Sequence, residues 1–240
     1  MIRIFLGNLG SGKSVSAIRE LVHNPNGRTT YTNIITKGIQ NVVTIKPQDI
    51  IKKIGEDKKP SFDLNIEYWN KQKKPLNILW DEIHLTANSR MSMSKINMVL
   101  SRFIAMARRI TGFDKRGYGS FTFVAQKERT IDVNIRDLTN EIVYHISHWV
   151  VECEECGTKV LTNSESPQMN KCVVCSSWKL EKKGMFIEKL SFSEWDSFYA
   201  WSVHMKGKFY DSRQRINDIE DYFKYYDTMQ IENVWENYLK

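Results

Sequence analysis

Short apolar runs alternate along the chain with segments whose apolar residues recur every three to four positions. Residues 2–6 form an apolar run of strand length, and Val15, Ile18, Leu21 and Val22 then follow at helical spacing. Asn24-Pro25-Asn26-Gly27 stops that helix, and the β-branched and aromatic residues of 28–34 predict a second strand. Strand, helix and strand make a βαβ unit, which implies a parallel sheet. Further along, the pattern predicts a short strand over 42–45, a short helix over 47–54 and a charged loop over 55–60. Residues 62–72 fit either class. Pro75 ends a lysine-rich loop, after which residues 76–80 predict a buried strand; residues 87–94 read as a polar, mobile loop. Ile96, Val99, Leu100, Phe103, Ala107 and Ile110 mark one face of a single helix over 94–111, ended by Gly112. A strand over 121–125, a loop into a short helix over 130–138 and a strand over 142–151 complete the α/β pattern.

Chemistry enters between the first strand and the first helix. Gly7-Asn8-Leu9-Gly10-Ser11-Gly12-Lys13-Ser14 has the G-x-x-x-x-G-K-[ST] form, in the strand–loop–helix context that form requires. Its glycines let successive N–H groups converge on an anion, and the helix start at Ser14 and Val15 adds its positive end. Lys13 then serves the β- and γ-phosphates and Ser14 a magnesium ion. The strand over 76–80 runs into Asp81 and Glu82, the form of a Walker B element, with Asp81 on the metal and Glu82 polarising water. Gln126, at the tip of the strand over 121–125, is placed to sense the γ-phosphate. The expected cofactors are therefore ATP and Mg2+.

Charge is unevenly distributed. The formal net charge is +7, yet residues 90–136 alone hold ten basic and three acidic side chains. Lys95, Arg102 and Arg109 lie seven apart and would stack on one stripe of a helix, with Arg108 beside it. Such a stripe is a solvated face, a track for double-stranded DNA, or the source of an arginine finger for a neighbouring subunit. Residues 114–120 are either a loop touching nucleic acid or a plain hairpin turn. No apolar run approaches the ~18 residues of a membrane span, and residues 1–4 are already strand rather than signal peptide.

All four cysteines fall in two C-x2-C knuckles, Cys153/Cys156 and Cys172/Cys175, with fifteen residues between them. That spacing is a zinc pattern, and four thiolates suit tetrahedral Zn2+. The ion would staple a small ribbon over 151–183 that has little apolar content of its own. Residues 185–240 are rich in aromatic rings interleaved with acids, which suits core packing or a partner surface. The domain expectation is an ATPase core over 1–150, a zinc ribbon over 151–183, and a strand with an aromatic α-helical tail over 184–240.

The P-loop, Thr32-Asn33-Ile34, Asp81-Glu82-Ile83-His84, the strand ending at Gln126, and Ile131-Asp132 with Ile135-Arg136-Asp137-Leu138 occur in the order seen in Zot-like ATPases. These are related to filamentous-phage assembly proteins within the FtsK–HerA superfamily. The resemblance covers about residues 1–145 and extends more weakly to the boxes Phe209-Tyr210-Asp211-Ser212 and Tyr225-Tyr226-Asp227-Thr228. It implies a RecA-like P-loop core with a mainly parallel sheet flanked by helices, a homo-oligomeric ring, and ATP-driven movement of DNA. Arg108, Arg109, Arg129 and Arg136 are the arginine-finger candidates. The membrane anchor of the phage-assembly branch is missing from the pattern, which favours likeness to viral genome-packaging ATPases, with viral capsid or membrane proteins as further partners. The expected location is cytoplasmic, in the host if the protein is viral, or virion-associated. Two alternatives stay open: a filamentous-phage-type assembly ATPase, and a zinc-bearing thymidine-type kinase. The kinase pattern follows Asp-Glu with Gln-Phe, where this chain has Ile83-His84.

Overall fold

The computed structural model describes residues 1–24, 26–54, 61–83, 95–127, 131, 133–162, 171–193 and 210–226. Strand β1 (Ile2–Leu6) leads through the glycine-rich loop into α1 (Lys13–His23), and β2 (Thr30–Thr32) and β3 (Val42–Thr44) follow. Next come α2 (Pro47–Ile50), the antiparallel pair β4 (Ile51–Ile54) and β5 (Ser61–Leu64), α3 (Ile66–Lys71) and β6 (Asn77–Trp80). Helices α4 (Lys95–Ala105) and α5 (Ala107–Thr111) precede a small hairpin, β7 (Phe113–Asp114) and β8 (Gly117–Tyr118). Strand β9 (Phe121–Val124), α6 (Val133–Asp137), β10 (Glu141–Cys153), β11 (Lys159–Thr162), β12 (Leu180–Ser193) and β13 (Ser212–Ile216) complete the order, with a 3-10 helix over Glu220–Tyr225.

Nine strands form one sheet, ordered β13-β12-β10-β1-β9-β6-β2-β3 with β11 paired to β10. The six from β10 to β3 run parallel, and β11, β12 and β13 are antiparallel additions at one side. The central strands are buried on both faces, which is why they read as continuous apolar runs. Their alternation still sorts them: Ile4, Leu6, Ile78, Trp80 and Phe123 pack with Leu100, Phe103 and Ile104 of α4. Phe5, Leu79, Val124 and Val143 face the other way, onto Val15, Ala17, Ile18 and Leu21 of α1. Among the described residues, no helix is long and apolar enough to cross a membrane.

Because the six strands are parallel, everything that follows them lies at one edge. The glycine-rich loop leaves β1, Asp81 leaves β6 and Gln126 follows β9, which sits between those two strands. The opposite edge, where strands begin, carries the β7–β8 hairpin and the turn into β10.

Two sequence expectations change. Residues 47–54 are not one helix: α2 stops at Ile50, and Ile51–Ile54 pairs antiparallel with Ser61–Leu64. The isoleucines there take a pleated surface with Ile51 buried and Lys52 and Lys53 exposed, so strand pairing prevails over a weak helical pattern. The helix over 94–111 is broken at Met106, which has φ −89° and ψ 13°, and Gly112 at φ 69° ends the second piece. The basic stripe is therefore interrupted, and its middle member Arg102 forms an ion pair with Asp63 at 3.0 Å. In the tail, the described residues hold β13 and a 3-10 helix. The expected loop over 87–94 and residues 194–209 and 227–240 lie outside the described residues.

Candidate nucleotide site and cysteine cluster

The glycine-rich loop is closed around its own lysine. Lys13 Nζ donates to Gly7 O at 2.9 Å and to Asn8 O at 2.8 Å, bridging the turn that phosphates would enter. The side chain is buried, which lowers its pKa, while Glu82 and Asp81 act in the opposite direction. Ser11 N donates to Asn8 O, Gly10 is left-handed at φ 73°, and Leu9 at the tip is exposed. Gly12 has φ 85°, and a β-carbon there would lie 2.5 Å from Cγ1 of Ile187, so β12 packs directly against the helix start. Gly7 backs onto His145, whose carbonyl oxygen would sit 2.5 Å from an added β-carbon. Val15 points away, into the core beneath α1.

Ser14 Oγ donates to Asp81 Oδ2 at 2.9 Å, which brings the first helix and the end of β6 together. The other oxygen, Oδ1, accepts from Glu82 N at 2.9 Å. Burial pushes Asp81 up to about 6, with Glu82 adding to the shift and the Ser14 hydrogen bond opposing it. A hydroxyl and a poorly solvated carboxylate are hard oxygen donors, and they fit Mg2+. Glu82 takes a left-handed backbone at φ 51°, an unusual conformation for a residue with a side chain and one found disproportionately at functional sites.

Two residues of this region carried no role in the sequence. Asn33 Oδ1 accepts from Asp81 N at 2.7 Å, and Asn33 Nδ2 donates to Asp81 O at 2.8 Å. His145 is fully enclosed behind the loop, its ring tilted against Phe5 at 4.8 Å. Its Nδ1 lies 3.1 Å from Val143 O and 3.3 Å from Leu6 O, both acceptors, so the proton resides there. Burial lowers its pKa to about 3, with Lys189 and Lys13 contributing. Asn33 belongs to the Thr32-Asn33-Ile34 motif without a role read from it, and His145 to no motif; position in the sheet assigns what each does.

The arginines are elsewhere. Arg108 and Arg109 lie exposed on α5, with Arg108 over the Tyr118 ring at 5.6 Å. Arg136 is in the last turn of α6, where its carbonyl accepts from Thr139 N. All three sit at the strand-entry edge, away from Lys13 of the same chain. Arg129 lies outside the described residues.

Strands β10 and β12 run on past the nucleotide edge as a ribbon, joined by β11 along Trp149–Glu152, and the cysteines close its end. Cys153, Cys156, Cys172 and Cys175 place their sulfur atoms within 4.8 Å of one another. The nearest pairs are 3.5 Å apart, and all four are free thiols. Zn–S bonds of ~2.3 Å in a tetrahedron give S···S edges of about 3.8 Å, so the group fits one Zn2+. The two knuckles share one backbone design. Gly157 N donates to Cys153 O and Ser176 N to Cys172 O, while Cys153 N and Cys172 N donate to Thr158 O and Ser177 O. Gly157 (φ 67°) and Ser176 (φ 60°) are both left-handed. Beside the first knuckle, Thr158 lowers Cys156 to about 6.

The sheet order and the loop between β1 and α1 define a P-loop NTPase fold. The chain is similar to the N-terminal domain of zonular occludens toxin from Neisseria meningitidis: 14% identity, TM-score 0.51, covering 94% of this chain and 98% of that one. The genome packaging NTPase of Sulfolobus turreted icosahedral virus 2, solved with ATPγS, matches at 11% identity and TM-score 0.39. That match covers 60% of this chain and 74% of the other. The first likeness places the chain in the fold of the Zot domain, the group its motif order resembles. No family model and no curated protein matches the chain.

Proposed function

We propose that this chain is an ATP-hydrolysing motor that moves duplex DNA, of the viral genome-packaging kind, working as a ring of identical subunits. The observation that carries the reading is the convergence at one sheet edge of Lys13, Ser14 bonded to Asp81, Glu82, and Gln126 between them. A binding module needs the phosphate loop and the metal residues, but a carboxylate beside Asp81 serves hydrolysis.

Lys13, released from the carbonyls of Gly7 and Asn8, turns onto the β- and γ-phosphates, and the loop N–H groups it had screened take up their charge. Ser14 and Asp81 would hold Mg2+, which when bound neutralises charge on the transferring phosphate. Glu82 orients and deprotonates the attacking water, and Gln126 contacts the γ-phosphate from the tip of β9. The site lacks an arginine of its own near Lys13 among the described residues, which supports a trans arginine drawn from Arg108, Arg109, Arg129 or Arg136 of a neighbouring subunit. The four cysteine thiolates would hold Zn2+ as a structural ion that fixes the ribbon end.

Steady-state ATP hydrolysis measured with and without duplex DNA tests this reading. Stimulation by duplex, lost in Lys13→Ala, is the expected result. No stimulation, with phosphate transferred to a nucleoside instead, would make the protein a kinase.

A further inference from the structure

At the edge remote from the nucleotide site, the β7–β8 hairpin exposes two aromatic rings. Phe113 is 72% and Tyr118 51% exposed, and they face each other across the hairpin with centroids 5.5 Å apart. Two adjacent exposed rings offer flat apolar faces to a ligand. The hairpin is also firmly held. Arg28, only 5% exposed, donates to Tyr118 O at 2.7 Å, to Gly117 O at 3.0 Å and to Asp114 Oδ1 at 2.8 Å. Arg116 adds bonds to Asp114 and to Asn26 O. A buried guanidinium thus presents a four-residue turn and its two rings in a fixed position.

The surroundings are cationic. Residues 102–118 hold five Lys/Arg and one acid, Asp114, which Arg28 and Arg116 already occupy. A second loop reaches the same place from a distant part of the chain: Lys74 Nζ donates to Arg109 O, and Leu76 N to Thr111 O. That loop sets Lys74 against Arg109 and Gly112, with Lys73 next to it in the chain, while Lys115 lies in the hairpin turn itself.

We infer that this hairpin is a contact site for single-stranded nucleic acid, with bases stacking on Phe113 and Tyr118 and phosphates held by Lys73, Arg108, Arg109 and Lys115. Rings flanked by cations suit an unpaired strand, because a duplex keeps its base faces covered. Charge decides against a protein partner with an ordinary mixed surface, since the patch offers almost no free acid to pair with one. The site goes beyond the translocation reading and does not depend on hydrolysis. Strand β9 runs from this hairpin to Gln126, so one rigid element spans both sites.

The test is fluorescence anisotropy of labelled oligo(dT) and of a blunt duplex of equal length, on the nucleotide-free full chain. Tighter binding of oligo(dT), weakened about tenfold or more in Phe113→Ala/Tyr118→Ala, is expected. Lys73→Gln/Lys115→Gln should reduce the salt slope by about 1.4, at about 0.7 per phosphate contact on a single strand. Unaltered ATP-analogue binding checks that the variants are folded. Equal affinity in wild type and the ring variant would overturn the assignment, as would a preference for the duplex. So would a changed oligomeric state with oligo(dT) binding intact, which would make the hairpin a subunit contact. Because no nucleotide is present, failure here leaves duplex-stimulated hydrolysis untouched, and the converse also holds.

Discussion

Asn33 grips the backbone of Asp81 with both ends of its amide, accepting from Asp81 N at 2.7 Å and donating to Asp81 O at 2.8 Å. The clamp joins the end of β2 to the end of β6 and fixes where the Asp81 carboxylate points. Partners that orient a metal ligand typically contribute 10–100-fold to metal affinity or activity. Asn33→Ala should therefore raise the Mg2+ concentration for half-maximal hydrolysis by about tenfold, with smaller change in nucleotide binding measured in EDTA. A magnesium dependence identical to wild type would reduce Asn33 to a strand-end spacer.

Glu82→Gln keeps the shape of the side chain and removes its basicity. Hydrolysis should fall by about 10²-fold or more while ATP still binds. The left-handed backbone at φ 51° predicts a second effect: Glu82→Gly should fold at least as well as Glu82→Gln, since glycine takes that conformation without strain. Full hydrolysis in Glu82→Gln would remove the residue from the chemistry.

The order of elements was legible because parallel strands buried on both faces leave apolar runs that sequence patterns detect. The glycine-rich loop and Asp81-Glu82 stood out in the sequence because the chemistry proposed for them demands particular residue types at fixed spacing, and the fold brings them to one edge. The role of Asn33, present only as part of a motif the resemblance quotes, and His145 altogether did not, since each acts on backbone groups that the folded sheet brings near. The strand at Ile51–Ile54 was misread for a related reason: its partner, Ser61–Leu64, is not adjacent to it in the chain. The break at Met106 has no glycine or proline to announce it.

His145 predicts a pH effect. Its pKa falls from the ordinary 6.5 to about 3 in the folded chain, chiefly through burial. Above pH 6.5 the contribution to stability is complete; as pH falls toward 3 the unfolded chain takes up a proton that the folded one refuses, and stability drops. Between pH 6.5 and 5 the wild type should lose roughly 1–2 kcal/mol more than His145→Gln in urea unfolding. Parallel losses in the two proteins would count against the enclosed neutral ring.

The cysteine cluster predicts one equivalent of zinc, released when its thiols are titrated with a mercurial. Cys153→Ser/Cys175→Ser should abolish it. The ribbon end should then become protease-sensitive while ATP binding persists, because the nucleotide residues are held by the parallel core. A protein that folds without bound metal and keeps an equally resistant ribbon would argue against the ion.

The contact between Gly12 and Ile187 has a mechanical consequence. Ile187 pairs with Ser147, six positions before Cys153 along β10, so the knuckles lie about 20 Å further out at ~3.4 Å per residue. The ribbon is in effect a lever with its fulcrum at the start of the P-loop helix. A tilt of about 5° there swings the knuckles through about 2 Å, as far as the rise of one residue in a 3-10 helix. A metal held by the four cysteines at the tip would stiffen the lever, so that motion begun at the phosphate loop would be delivered at its far end rather than lost in bending.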